Sequence, residues 1–150
     1  MYTHTMRKGE SFDLSRIQPI SNVTRNKPDG GLWVSVDEDW ERWCSVEEPE
    51  WLGEERYEIV LSDTARICSI KTQKDLDKLP QRISGILKEW AELFELTYIN
   101  FEALAKEYDV IEVMAGSDRG LYQSLYGWDC DCAVIMNPSV ISEVRKINAY

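Results

Sequence analysis

The sequence predicts an α+β domain, a mixed or antiparallel sheet with flanking helices. Three observations lead there. Short alternating or wholly apolar runs read as strands near both ends of the chain. A block patterned for helices lies between them. The regular strand–helix alternation of a doubly wound sheet is missing. At 150 residues, 43% hydrophobic and 29% charged, the chain has material for one real core and reads as a single domain over residues 1–150.

The elements follow in order. Residues 1–7, rich in β-branched and aromatic side chains, read as a strand. Residues 8–31 read mostly as loop, with Leu14, Ile17 and Ile20 supporting at most a helical turn. A Lys-Pro-Asp-Gly-Gly turn leads into a strand over 31–36, with Leu32, Val34 and Val36 on one face and Trp33 and Ser35 on the other. Ser35-x-x-Glu38 matches a capping box, and Trp40, Trp43 and Cys44 then recur at helical spacing. Residues 46–55 form an acidic loop, with Trp51 either pinned to the body or open to a partner. The runs 56–62 and 65–71 alternate as two strands, read as a hairpin. Residues 71–79 make a short helix capped by Thr72 and stopped at Pro80. The periodicity predicts a core helix over 81–96, with Ile83, Ile86, Leu87, Trp90, Leu93 and Phe94 on one face. Asn100 caps a further helix with Phe101, Leu104 and Tyr108 turned inward. Residues 108–114 read as a doubly covered central strand. An aromatic loop with Tyr122, Tyr126 and Trp128 follows as a candidate pocket wall. A last strand, 132–136, ends at Pro138, and 139–146 reads as an amphipathic tail.

Composition narrows the function. A net charge of −10 excludes a general nucleic-acid-binding surface, which needs a basic patch. It leaves open a small ligand in a local pocket, and an acidic interaction or inhibitor protein of phage type that mimics nucleic acid. No apolar run is long enough for a membrane span, and no signal peptide is recognisable. Cys44, Cys68, Cys130 and Cys132 are therefore expected as reduced thiols in a cytoplasm, the host's if the chain is phage-encoded. One histidine and the Asp-Cys-Asp-Cys spacing predict no metal site.

Glu112 draws attention as a carboxylate inside the apolar run Val110–Met114. An ionised carboxylate buried without a partner is too costly to persist. It meets a partner, points into a cleft, or lies on a strand less buried than it looks. His4 offers one hydrogen-bond donor and one acceptor. Trp33 beside Ser35 offers an indole and a hydroxyl for a ring and a ribose, although Ser35 also serves as a helix cap.

Thr3-His4-Thr5 in a first strand, Gly31-Leu-Trp-Val-Ser35 in a middle strand, and Ile111-Glu112-Val113 in a late strand resemble the three-part layout of the ADP-ribosyltransferase fold. Asn137–Ile141 is similar to the closing strand of small bacterial and phage members. The resemblance implies a split sheet and NAD as substrate. It implies that His4 and Thr5 orient the adenosine ribose and the nicotinamide amide, and that Ser35 lines the nicotinamide pocket. Trp33 and Tyr122 would be aromatic walls, and Glu112 the catalytic carboxylate beside the nicotinamide ribose. The implied reaction is glycosyl transfer, in which that carboxylate stabilises positive charge on the ribose as nicotinamide leaves. Val110 stands where arginine-modifying relatives carry a second Glu or Gln, which puts an arginine acceptor in doubt; protein, nucleic acid and small molecules all remain as acceptors. A catalytically silent nucleotide-binding relative of the same fold is the further alternative.

Overall fold

The computed structural model describes residues 1–23, 25–83, 97–116 and 118–148. Its strands are β1 (Tyr2–Met6), β2 (Ser21–Val23), β3 (Arg25–Asp29), β4 (Leu32–Val36), β5 (Glu55–Leu61), β6 (Ile67–Ile70), β7 (Gln81–Ile83), β8 (Thr97–Ile99), β9 (Val110–Val113), β10 (Cys132–Ile135) and β11 (Ile141–Ile147). Its helices are α1 (Asp39–Glu47), α2 (Gln73–Asp77), α3 (Phe101–Glu107) and α4 (Arg119–Ser124). Seven strands form one sheet in the order β11-β5-β1-β4-β10-β9-β6, while β2–β3 and β7–β8 make two small hairpin pairs. Within the large sheet only β6 and β9 run parallel; the other neighbours are antiparallel. Among the described residues this is an α+β domain with a mostly antiparallel sheet.

The strand period of two divides the side chains between two cores. One face carries Leu32, Val34, Val36, Ile59, Val110, Ala133 and Ile135, closed over by loop residues Phe12 and Ile17. The other carries Cys68, Ile70, Ile111, Val113, Cys132 and Val134, covered by Leu76, Phe101, Leu104 and Leu121 from the inner faces of the short helices. β10 is buried along its length, and β9 is buried except at Glu112. That matches a strand covered on both faces. Thr72 and Asp75 form a capping box at α2, and Asn100 caps α3 through the Ala103 N–H, as their positions predict.

Several expectations change. The 56–62 and 65–71 runs are strands, but not a hairpin: β5 lies between β1 and β11, and β6 pairs with β9 at the far edge. Residues 141–147, read as a tail, add the edge strand β11 on β5. The polar stretch 8–31 contains β2 and β3. Pro28 is tolerated in β3 because that strand pairs on one side alone. The helix expected over 81–96 does not begin where predicted, since Gln81–Ile83 is a strand paired with Thr97–Ile99; residues 84–96, including Trp90, lie outside the described residues.

Candidate functional site

The site begins where β1 and β4 part. Their register holds at Tyr2↔Val36 and Thr3↔Ser35 and is not continued beyond Thr3. There the His4 Nδ1–H donates to the Trp33 carbonyl at 2.8 Å. A carbonyl only accepts, so Nδ1 carries the proton and a neutral ring keeps Nε2 free to accept. Burial pulls the His4 pKa down, partly offset by the Trp33 carbonyl. An imidazole edge thus replaces a ladder bond, and the sheet opens into two clefts that share His4, Trp33 and Lys27.

The first cleft, about 340 Å³, is aromatic and hydroxylic. Thr3, Thr5 and Ser35 line it beside the indoles of Trp33, Trp40 and Trp51. Trp33 is fixed against Trp128, with ring centroids 4.7 Å apart, and Trp128 is itself pinned by its Nε1–H to the Asn26 carbonyl at 2.6 Å. The Lys27 ammonium sits 4.9 Å from the centre of the Trp33 ring and donates to the Gly127 carbonyl at 2.7 Å. Asp129, Cys130 and Cys132 complete the lining. The Cys130 thiol is pushed far up by hydrogen bonding to the Cys132 thiol, by burial and by the nearby carboxylates of Asp39 and Asp129, so it stays protonated.

Behind that cleft, α1 is fixed from below. Ser35 Oγ accepts the Trp40 N–H at 2.9 Å. Glu41, 0% exposed, accepts from the Thr3 hydroxyl at 2.7 Å and from Arg56 Nε at 3.2 Å. Glu38 is in the left-handed region (φ 65°) and makes no cap bond; its carboxylate pairs with Arg56 instead. The capping box read at Ser35-x-x-Glu38 is therefore not formed: Glu38 is itself the N-cap residue, and Ser35 supports the helix from β4 by accepting the Trp40 N–H.

The second cleft, about 570 Å³, is polar. Arg16, Arg25 and Lys27 line it together with the carboxylates of Glu10, Asp13 and Asp29. Asp13 is occupied by the N–H and hydroxyl of Ser15. Among the described residues no ion pair engages Arg16 or Arg25. The floor is the Gly30–Gly31 turn. A Cβ on Gly30 would stand 2.0 Å from the Pro19 carbonyl oxygen, and both glycines have positive φ, so the turn demands this residue type.

Of the site residues expected from sequence, His4, Thr5, Trp33 and Ser35 meet at the parted strands. Glu112 and Tyr122 do not join them. Glu112 pairs with Ala133, whereas Trp33 and Ser35 pair with Val134 and Cys132. Alternation therefore turns Glu112 away from Trp33 and Ser35, to the face that carries Tyr2 and, two residues on, His4. There it accepts from the Tyr2 hydroxyl at 2.6 Å and from the Ser69 hydroxyl. Burial and this carboxylate push the Tyr2 phenol up. Tyr122 lies on α4, 47% exposed, and lines neither cleft. The sequence reading missed Lys27, Trp40, Asp129 and the two arginines of the second cleft, which come from segments taken as loop or core. The four cysteines are free thiols. Among the described residues no cluster of three or more His, Cys, Asp or Glu is arranged for a metal, and no helix is long and apolar enough to cross a membrane. No family model, curated protein or solved structure matches this chain.

Proposed function

We propose that the protein binds NAD, or a nucleotide of that class, across the two clefts, in the manner of an ADP-ribosyltransferase-like fold. The observation that carries this reading is the parting of β1 and β4 beyond Thr3, which joins an aromatic, hydroxyl-lined slot to a cleft lined by Arg16 and Arg25. The residues fit the ligand's parts. A planar ring stacks among Trp33, Trp40 and Trp51, ribose hydroxyls meet Thr5, Ser35 and His4 Nε2, and a pyrophosphate meets Arg16, Arg25 and Lys27. Volumes of 340 and 570 Å³ suit a ligand of that size.

Bound NAD supplies a ribosyl–nicotinamide bond whose cleavage develops positive charge on the sugar. A glycosyl transfer then needs an aimed carboxylate. Glu112, held by Tyr2 and Ser69, would have to act from the other face; Asp129 already lines the aromatic cleft. Titration calorimetry with NAD, followed by assay of nicotinamide release in the presence of host extract, tests both levels. NAD binding that weakens with Trp33→Ala and with Arg16→Ala supports the nucleotide reading; no binding ends it. Loss of release in Glu112→Gln, or instead in Asp129→Asn, identifies the carboxylate, and binding without release leaves a silent nucleotide-binding relative.

The acidic-mimic reading has less support. Much of the acidic stretch is neutralised within the chain, through Asp37 with the N-terminus, Asp39 with Arg42, Glu38 and Glu41 with Arg56, Glu55 with Lys146 and Glu58 with Arg145.

A further inference from the structure

At the mouth of the aromatic cleft Trp40, Trp43 and Trp51 form one patch. Their ring centroids lie 5.2, 6.0 and 6.3 Å apart, with planes 15–36° from parallel. Near-parallel rings at these separations overlap with an offset, and three similar separations make a compact cluster in place of one column; the exposed side of that cluster is a platform. Trp51 is 58% exposed, and Val46 on α1 is 77% exposed. The loop that presents Trp51 is tightly seated: a Cβ on Gly53 would stand 2.5 Å from the Met6 backbone nitrogen. A seated, exposed apolar platform of this kind marks a contact surface.

The charges around it specify the partner. Glu47, Glu48, Glu50 and Glu54, within four residues of Trp43 or Trp51 in sequence, are exposed. Among the described residues no ion pair engages them, although the other acids of this stretch are paired. We propose that this platform docks a basic polypeptide segment, with arginine preferred to lysine, at the mouth of the cleft. A guanidinium lays its plane on an indole while its edge donates to a carboxylate. An ammonium does the second alone. This surface does not rest on the nucleotide reading, and its test contains no nucleotide.

The test uses the full chain and three short synthetic peptides, of alternating Arg and Ser, Lys and Ser, and Glu and Ser, followed by tryptophan fluorescence and calorimetry. The arginine peptide is expected to bind tightest, the glutamate peptide not at all, and added salt to weaken binding. Glu47→Gln/Glu48→Gln/Glu50→Gln should lose about tenfold or more, since an exposed ion pair contributes up to about fivefold. The charge-matched control Asp63→Asn/Asp77→Asn/Glu107→Gln, exposed acids on other elements, should lose much less. Trp51→Ala should erase the preference for arginine, and Trp51→Phe should restore most of it. Absence of arginine-peptide binding overturns the proposal. So do equal losses in the two triple variants, which would mean a general attraction of a −10 chain, and so does an arginine preference unchanged in Trp51→Ala.

Discussion

Asp109 shows how much one side chain can hold. Its carboxylate accepts from the Arg66 backbone N–H at 2.9 Å, from Arg66 Nε at 3.1 Å and Nη2 at 2.9 Å, and from Asn137 Nδ2 at 3.1 Å. Its own carbonyl receives the Met136 and Asn137 N–H groups. One residue, 4% exposed, thus ties the start of β6, the start of β9 and the end of β10. Arg66 above all, helped by Asn137, holds the carboxyl far below the usual carboxylate range. A carboxyl lowered by folding contributes stability that is fully present above its unfolded pKa of about 3.9 and is lost as pH falls toward the folded value. Asp109→Asn should therefore lower the unfolding free energy at neutral pH, read from urea denaturation, by about 1.5–3 kcal/mol for a charged hydrogen-bonded group. It should also flatten the loss of stability below about pH 4. Equal acid slopes in the two proteins would refute this account. A second residue-scale outcome concerns Cys130. Because its thiol is pushed up, alkylation at neutral pH should be slower than for free cysteine and should rise steeply in alkali, as followed by mass spectrometry.

Among the elements, α1 depends on a bond from outside itself. Asp37 and Glu38 both occupy the left-handed region, at φ 47° and 65°, so the chain turns sharply out of β4 and leaves Glu38 unable to cap. Ser35 Oγ takes the Trp40 N–H instead. Ser35→Ala should cost about 1 kcal/mol, the usual loss for a missing cap, read from urea denaturation; a loss of a few tenths would show that the bond contributes nothing. This element also shows how far sequence reasoning reaches. Capping threonines and asparagines act within a few residues, so Thr72 and Asn100 were legible locally, as was the alternation of β4; the Ser35 box was not, because Asp37 and Glu38 turn left-handed before the helix starts. Pairing was not. Nothing near Ile67–Ile70 announces that its partner is Val110–Val113, parallel and some forty residues away, since parallel neighbours need a long crossover. Proximity in sequence suggested the hairpin with β5 in its place. β11 was illegible for a related reason: its apolar residues are interspersed with the exposed charges Glu143, Arg145 and Lys146, usual on an edge strand, and 139–146 read as an amphipathic tail.

In the whole molecule, the candidate site was legible only as far as one strand pair. His4, Thr5, Trp33 and Ser35 come together because β1 and β4 are direct neighbours. Glu112 is two strands beyond β4, and the face it takes is set by the β10 register, which a single sequence does not reveal. That geometry yields the last prediction. If NAD occupies both clefts, it binds the folded chain and not the unfolded one, so at about 100-fold its Kd it should add about 2.7 kcal/mol of stability. For a chain of this size that is a rise of roughly 5–10 °C in Tm. Trp33→Ala removes the slot's floor and should abolish most of the rise, even where it also lowers the starting Tm. Glu112 is bonded to Tyr2 and Ser69 on the face opposite Trp33 and lines neither cleft. Glu112→Gln should lower the starting Tm slightly, by exchanging one acceptor for a donor opposite a hydroxyl, and leave the NAD-dependent rise intact. Thermal scans of the three proteins with and without NAD decide the matter. A rise lost in Glu112→Gln and kept in Trp33→Ala would take the ligand out of the aromatic cleft and place it beside the carboxylate.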